Sequence, residues 1–246
     1  MQVSERLANL LYPPACLLCH TELPVPRSLP RTRDGLLCGA CAGAMPRSGP
    51  PVCERCGAEL PGAFDARTLC PSCRKRPLEF EMARAPWRYA GRVQDAIRQF
   101  KYHRRWRLGR WLAEEMTVTA QASFPLHEIS VVIPVPLHWL KRRLRGVNPA
   151  EQLAQTVSRL LGKPCAPHAL RRTRWTATQT RLPGPARARN VQRAFLADAR
   201  LVREQTALLI DDVLTSGATA DACAVALKEA GARRVFVLTA ARTPLR

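Results

Sequence analysis

No stretch of this 246-residue chain approaches the roughly 18 uninterrupted apolar residues of a membrane-spanning helix, so such a helix is excluded. Its start, "MQVSERLANLLYPPACLLC", also lacks the basic and then uniformly apolar pattern of a secretory leader. Glu5 and Arg6 interrupt it, so export is not expected and the chain is expected to stay in the cytoplasm. Acids are scarce. Asp and Glu total 19 against 39 Lys and Arg, a net charge of +20, which excludes a surface that repels polyanions and implies attraction to nucleic acid, phosphorylated metabolites or an anionic membrane. Charge alone does not choose among these, and a GC-rich genome enriches Arg, Ala and Pro without selection for binding. With 46% hydrophobic and 24% charged residues the balance is that of a soluble globular chain, long enough for one substantial core and a small appended module.

Cysteine is abundant and clustered. Eight of the 10 fall in CxxC pairs before residue 74: Cys16 and Cys19, Cys38 and Cys41, Cys53 and Cys56, Cys70 and Cys73. Two such pairs supply the four thiolates of a tetrahedral Zn²⁺ site. Between Cys19 and Cys38 lie 18 residues, inside the usual zinc-ribbon window, and between Cys56 and Cys70 lie 13, slightly short of it. Sequential pairing with one or two zinc ions is the default, and interleaved pairing stays open. Disulfides are disfavoured in a reducing compartment, and a redox CxxC would be a single pair beside a βαβ unit. Gly57, directly after Cys56, suits a knuckle whose next residue takes positive φ. Four thiolates leave no open coordination position, so this zinc is structural, stabilising a segment too short and polar to fold by burial alone.

From about residue 80 the texture changes to alternating helix and strand. Val93, Ala96, Ile97 and Phe100 form the stripe of a short amphipathic helix. "ISVVIPVP" (129–136) is a β-branched strand cut off by proline, and Asn148, Pro149 and Glu151 fit the N-cap, N1 and N3 positions of a helix reaching residue 161. "ALLID" is a second buried strand, 217–230 a helix stopped by Gly231, and "RVFVLTA" a third strand. Such alternation predicts an α/β fold, a parallel sheet with helices on both faces.

The stretch "ALLIDDVLTSGAT" (207–219) carries the chemistry. A buried strand that runs into small residues and then a helix N-terminus is an anion site. Thr215, Ser216, Gly217, Ala218 and Thr219 offer successive backbone N–H groups, hydroxyls and a glycine that lets the chain turn around a phosphate. Asp211 and Asp212 would repel that phosphate and suit hydroxyls or Mg²⁺ next to it, as on a phosphate one carbon from a sugar diol.

"LLIDDVLTSGAT" resembles the signature of type I phosphoribosyltransferases, which bind 5-phosphoribosyl-1-pyrophosphate (PRPP). The resemblance implies that Asp211 and Asp212 hold the ribose hydroxyls and nearby Mg²⁺, and that the residues at 215–219 hold the 5′-phosphate. The whole chain is similar to the ComF family of competence-related proteins, through its CxxC pairs, "WRYAGRVQDAIRQFKYH" (87–103), "VIPVPLHWLKRRLRGVNPAEQLA" (132–154) and "RWTATQTRLPGPARARNVQRAF" (174–195). This implies a phosphoribosyltransferase-like domain over 80–246, preceded over 1–79 by a double zinc ribbon with an N-terminal helix. Lys141, Arg142, Arg143 and Arg145 then form a cationic loop where the pyrophosphate of PRPP needs neutralising, or else a solvated basic helix. Residues 169–197 carry seven arginines and no acid. By resemblance they form a mobile hood, with Arg174, Gln179, Arg187 and Asn190 on the matching positions, and Arg174 and Arg187 join Asp211 and Asp212 as catalytic candidates.

Segment 84–111 holds nine basic residues against Asp95 alone, interleaved with Trp87, Tyr89, Phe100, Tyr102, Trp106 and Trp111. It could grip single-stranded DNA by backbone neutralisation and base stacking, or its aromatics could be a core stripe. Two functions follow: a competence factor that binds PRPP and handles single-stranded DNA during natural transformation, with other competence proteins as partners, or a Mg²⁺-dependent phosphoribosyltransferase with an unread acceptor. A PRPP or nucleotide sensor without turnover is a third. Amidophosphoribosyltransferases generate ammonia with a terminal cysteine, whereas the first cysteine here is Cys16, among the expected zinc ligands. Cys165 and Cys223 read as structural.

Overall fold

The apolar runs expected to be strands lie side by side in one parallel sheet. The structure, a computed structural model, describes residues 14–23, 36–62, 68–103, 105–137, 146–173 and 194–245. Within them the chain forms α1 (Gly39–Gly43), α2 (Pro71–Lys75), β1 (Met82–Arg84), β2 (Trp87–Arg88), α3 (Gly91–His103), α4 (Trp106–Ser123), β3 (Val131–Pro134) and α5 (Pro149–Leu161). It continues through β4 (Leu170–Arg172), β5 (Phe195–Ala197), α6 (Ala199–Val202), β6 (Thr206–Leu214), α7 (Ala218–Glu229) and β7 (Arg234–Arg242). The main sheet runs β1, β7, β6, β3, with β2 also on β7, and its pairings are all parallel. The sequence-derived α/β class is the one observed, and β4 and β5 add a small antiparallel pair.

Both faces of the sheet are covered, which is why its central strands read as continuous apolar runs. Leu208, Ile210, Phe236 and Leu238 pack against the apolar stripes of α3, α4 and α5. Ala207, Leu209, Val235 and Val237 pack against α7. Fully burying a leucine, valine, isoleucine or phenylalanine contributes ~1.5–3 kcal/mol, so these two layers hold β6 and β7 in place.

Local signals placed most elements correctly. All four residues of the α3 stripe are buried. Asn148 caps α5, accepting from the Ala150 amide at 3.2 Å, although Glu151 supplies its own amide to the Asn148 carbonyl rather than a reciprocal side-chain bond. Gly231 (φ 95°) follows the end of α7 as expected. Helix α4 was not foreseen. Its signal is masked by Gly109 and by basic residues that separate its tryptophans. Gly109 is there because α3 crosses closely: a Cβ at this position would stand 2.3 Å from the Phe100 ring.

The cysteine pairs build a repeated unit. In the first, Cys16 and Cys19 lie in a knuckle closed by an Ala15–Glu22 bridge, and in the second Cys53 and Cys56 lie in one closed by Val52–Glu59. Each unit ends in a short helix, α1 or α2, whose N-cap cysteine (Cys38 or Cys70) accepts the amide of its pair partner. The residue after each knuckle takes positive φ, His20 (62°) in the first and Gly57 (65°) in the second. Only the second requires glycine. A Cβ on Gly57 would lie 2.5 Å from the Ala83 carbonyl oxygen, because the knuckle is laid against β1, whose Ala83 amide donates to the Arg55 carbonyl at 2.7 Å. Gly57→Ala is expected to destabilise the protein by about 2 kcal/mol or more through left-handed strain and this overlap, read in urea melts, whereas His20→Ala costs far less. Equal effects of the two would contradict the asymmetric docking.

Candidate functional site

Strand β6 carries the candidate site at its C-terminal end and hands the chain to α7 through Thr215, Ser216 and Gly217. Gly217 takes φ 80° and caps α7 without a side-chain bond, so the first amides of the helix point off its end. Thr215, Ser216 and Thr219 are exposed, and Ser216 Oγ accepts from the Ala218 amide at 3.4 Å. Thr215, Ser216, Gly217, Ala218 and Thr219 thus lie together where a strand passes into a helix N-terminus, a geometry that suits an anion.

The two aspartates do not act as a matched pair. Asp212 lies toward the α3 layer, where Lys101 Nζ meets its Oδ1 at 2.7 Å with both groups largely buried. Asp211 Oδ1 accepts the Asp212 amide at 2.8 Å. Burial, and then the adjacent Asp212 carboxylate, push the Asp211 carboxyl up to about 8, against the lowering pull of that amide and of Lys101. The ion pair at Asp212 and the upward push on Asp211 both lessen the repulsion that two bare carboxylates would direct at a phosphate. Lys101 was missed from sequence because its contact spans distant segments; its basic, aromatic surroundings pointed only to nucleic acid.

Three further groups form the back of the loop. Asp221, buried in the first turn of α7, accepts from Arg76 Nη2 and from the Glu79 amide, both at 2.7 Å. Arg76 thus offsets an acid that would otherwise oppose an anion at this helix end. The side chains of Leu78 and Phe80 lie 3.9 Å from where a Gly217 Cβ would stand. Arg242 reaches from β7 to the carbonyls of Leu214 and Thr215. Cys223 is buried among the alanines of α7, as expected of a packing thiol.

Beside the loop, β3 ends near the start of α5, and Asn148 Nδ2 donates to the Val135 carbonyl at 3.0 Å. Arg143 and Arg145 lie outside the described residues, as do Arg174, Gln179, Arg187 and Asn190 of the expected hood. Its two ends are described: Thr173 N–H donates to the Ala194 carbonyl at 2.9 Å, and β4 pairs with β5.

The eight clustered cysteines divide into two groups, Cys16, Cys19, Cys38 and Cys41, and Cys53, Cys56, Cys70 and Cys73, with the sulfurs of each group within 4.8 Å of one another. This is sequential pairing. Backbone amides point at the sulfurs of Cys38, Cys53 and Cys70 at 3.3–3.4 Å, as suits thiolates on a metal. The donor set fits one tetrahedral structural Zn²⁺ per group.

The basic, aromatic segment is divided by burial. Trp87, Phe100 and Trp111 belong to the core, and the Trp87 and Trp111 rings stack at 4.9 Å. Tyr102 (60% exposed) and Trp106 (43%) remain at the surface where α3 meets α4. Among the described residues no helix is long and apolar enough to cross a membrane.

Residues 7–74 match the double zinc ribbon domain family. Competence protein F of Haemophilus influenzae is 26% identical over 233 residues, covering 92% of this chain and 96% of that protein. DNA utilization protein YhgH of Escherichia coli K12 is 30% identical over 237 residues, covering 95% of this chain and 99% of that one. The amidophosphoribosyltransferase of the same organism is 29% identical over 115 residues, 46% of this chain and 20% of the enzyme. By its likeness to YhgH across nearly the whole of both chains, the protein belongs to the ComF family, that of competence protein F and YhgH.

Proposed function

We propose that this protein is a cytoplasmic competence factor that binds PRPP with Mg²⁺ at the β6–α7 turn and handles single-stranded DNA along the α3–α4 corner during natural transformation. In this reading residues 1–79 are the zinc-ribbon part and 80–246 the phosphoribosyltransferase-like part. The observation that carries it is the passage of β6 through Asp211 and Asp212 into a left-handed Gly217 and the N-terminus of α7, which its N-cap residue closes with no side chain. The loop amides and hydroxyls would take the 5′-phosphate, and Asp211 and Asp212 the ribose hydroxyls. Mg²⁺, held through these carboxylates and the ligand's own phosphates, would neutralise pyrophosphate charge and favour the ionised form of Asp211. Arg143, Arg145, Arg174 and Arg187 are proposed to close on the pyrophosphate and ribose. The relatives' names, competence protein F and DNA utilization protein, support the DNA-handling half, as does the charge of +20.

Isothermal titration with PRPP and Mg²⁺ tests the pocket. The wild type is expected to bind, and the Asp211→Asn, Asp212→Asn double variant to bind at least tenfold more weakly, about 1.4 kcal/mol. Absence of binding by the wild type would overturn the pocket reading. Pyrophosphate release on adding an acceptor would extend it to a phosphoribosyltransferase.

Single-stranded DNA affinity is expected to fall steeply with salt and to drop on the order of tenfold in Tyr102→Ala or Trp106→Ala, since stacking one base contributes ~1–3 kcal/mol. Fluorescence anisotropy against an oligonucleotide reads both effects. Salt-insensitive binding, or unchanged affinity in both variants, would contradict this placement of the DNA.

A further inference from the structure

The anion loop and the second cysteine cluster share one side chain. Arg242 is buried, and its Nε donates to the Cys56 carbonyl at 3.1 Å while Nη2 approaches the Cys56 sulfur at 3.6 Å. Its Nη1 donates to the carbonyls of Leu214 at 3.2 Å, Thr215, and Thr243 at 2.8 Å. A planar guanidinium can serve both sides at once because its donors diverge in a fixed fork; a lysine ammonium is a point charge and cannot.

A second strut runs in parallel. The residues that follow Cys73 lead directly to Arg76 and Glu79 on Asp221, and to Leu78 and Phe80 beneath Gly217. The loop is thus held from behind on two sides by the segment that the second cluster organises. The first cluster is tied elsewhere. Its apolar residues pack with α3 and α4 in the other layer, and Arg105 donates to the Leu17 carbonyl at 2.9 Å.

Electrostatics gives Arg242 a second task. Four thiolates on one Zn²⁺ leave a net double negative charge, which works against an anion in the neighbouring loop. Arg242 stands between the two, donating to carbonyls on the loop side and contacting sulfur on the other.

We propose that Arg242 is a positioning residue that couples the loop to the second cluster, so that phosphate affinity depends on metal in Cys53, Cys56, Cys70 and Cys73 and not on metal in Cys16, Cys19, Cys38 and Cys41. The coupling rests on the reading of the loop as a phosphate site. It extends that reading, because it gives a nominally structural metal control over ligand binding.

The test uses full-length wild type, Arg242→Lys, Cys70→Ser and Cys38→Ser. Hydrogen exchange is followed at the amides of Asp221 and Thr243, which are bonded to the Gly217 and Leu214 carbonyls at 2.8 and 3.0 Å, and PRPP affinity is measured with Mg²⁺. In Arg242→Lys the zinc content stays at the wild-type level, while both amides exchange roughly tenfold faster and PRPP binds roughly tenfold more weakly. Cys70→Ser reproduces these losses, and Cys38→Ser leaves both readouts at wild-type values. Should either cysteine variant fail to fold, stepwise chelation of the wild type, with released zinc counted against exchange at the same amides, replaces it.

Loop amides that stay protected after the second metal leaves would overturn the proposal, as would an equal response to loss of the first. If PRPP fails to bind the wild type but the amides respond as described, the phosphate reading falls and the coupling stands. If PRPP binds and the amides do not respond, the coupling falls.

Discussion

The parallel register that sets Leu214 of β6 beside Arg242 of β7 governs both sides of the sheet's C-terminal edge. It brings Arg242 under the turn that follows β6, and it holds Asp211 and Asp212 just before that turn. A slip of one residue would send every side chain of β6 to the opposite face, taking Asp212 away from Lys101 and exchanging the two buried layers. The register is strongly specified because both faces of β6 and β7 are apolar and covered, by α3, α4 and α5 on one side and α7 on the other.

A chain with so few acids places several of them in or beside this edge, and each has its charge managed. Asp212 is paired with Lys101, Asp221 is paired with Arg76, and burial and the neighbouring carboxylate push the Asp211 carboxyl toward its neutral form. The result is an edge whose acids carry little net negative charge beside the N-terminus of α7. The same economy appears at the second cluster, where Arg242 and Arg84 approach the knuckle. Around the corner, Tyr102 and Trp106 follow Lys101 closely in sequence, so the surface proposed for DNA and the turn proposed for PRPP meet at the end of α3.

The parts of this arrangement that were legible in sequence are those encoded by adjacent residues. Cysteine spacing picked out the eight residues that gather in two groups of four, the residues at 207–219 marked the passage from a strand into a helix, and Asn148 marked the start of α5. Spacing made sequential pairing of the CxxC motifs the default but left interleaved pairing open, because either satisfies a tetrahedral metal; the two observed groups are sequential. Lys101, Arg76 and Arg242 were missed for a related reason. Each acts across a long sequence separation, and a basic residue in a chain this rich in arginine carries little signal alone. Trp87, Phe100 and Trp111 show the converse case, in which residue type suggested stacking on bases while burial assigns them to the core.

Whether the turn after β6 binds PRPP, with Asp211 and Asp212 orienting it, is decided by a crystal structure of the protein grown with PRPP and Mg²⁺. Difference density is expected with the 5′-phosphate over the amides of residues 215–219 and the ribose directed toward Asp211 and Asp212. Density for PRPP elsewhere on the molecule, or none at this turn with PRPP at saturation, would contradict it.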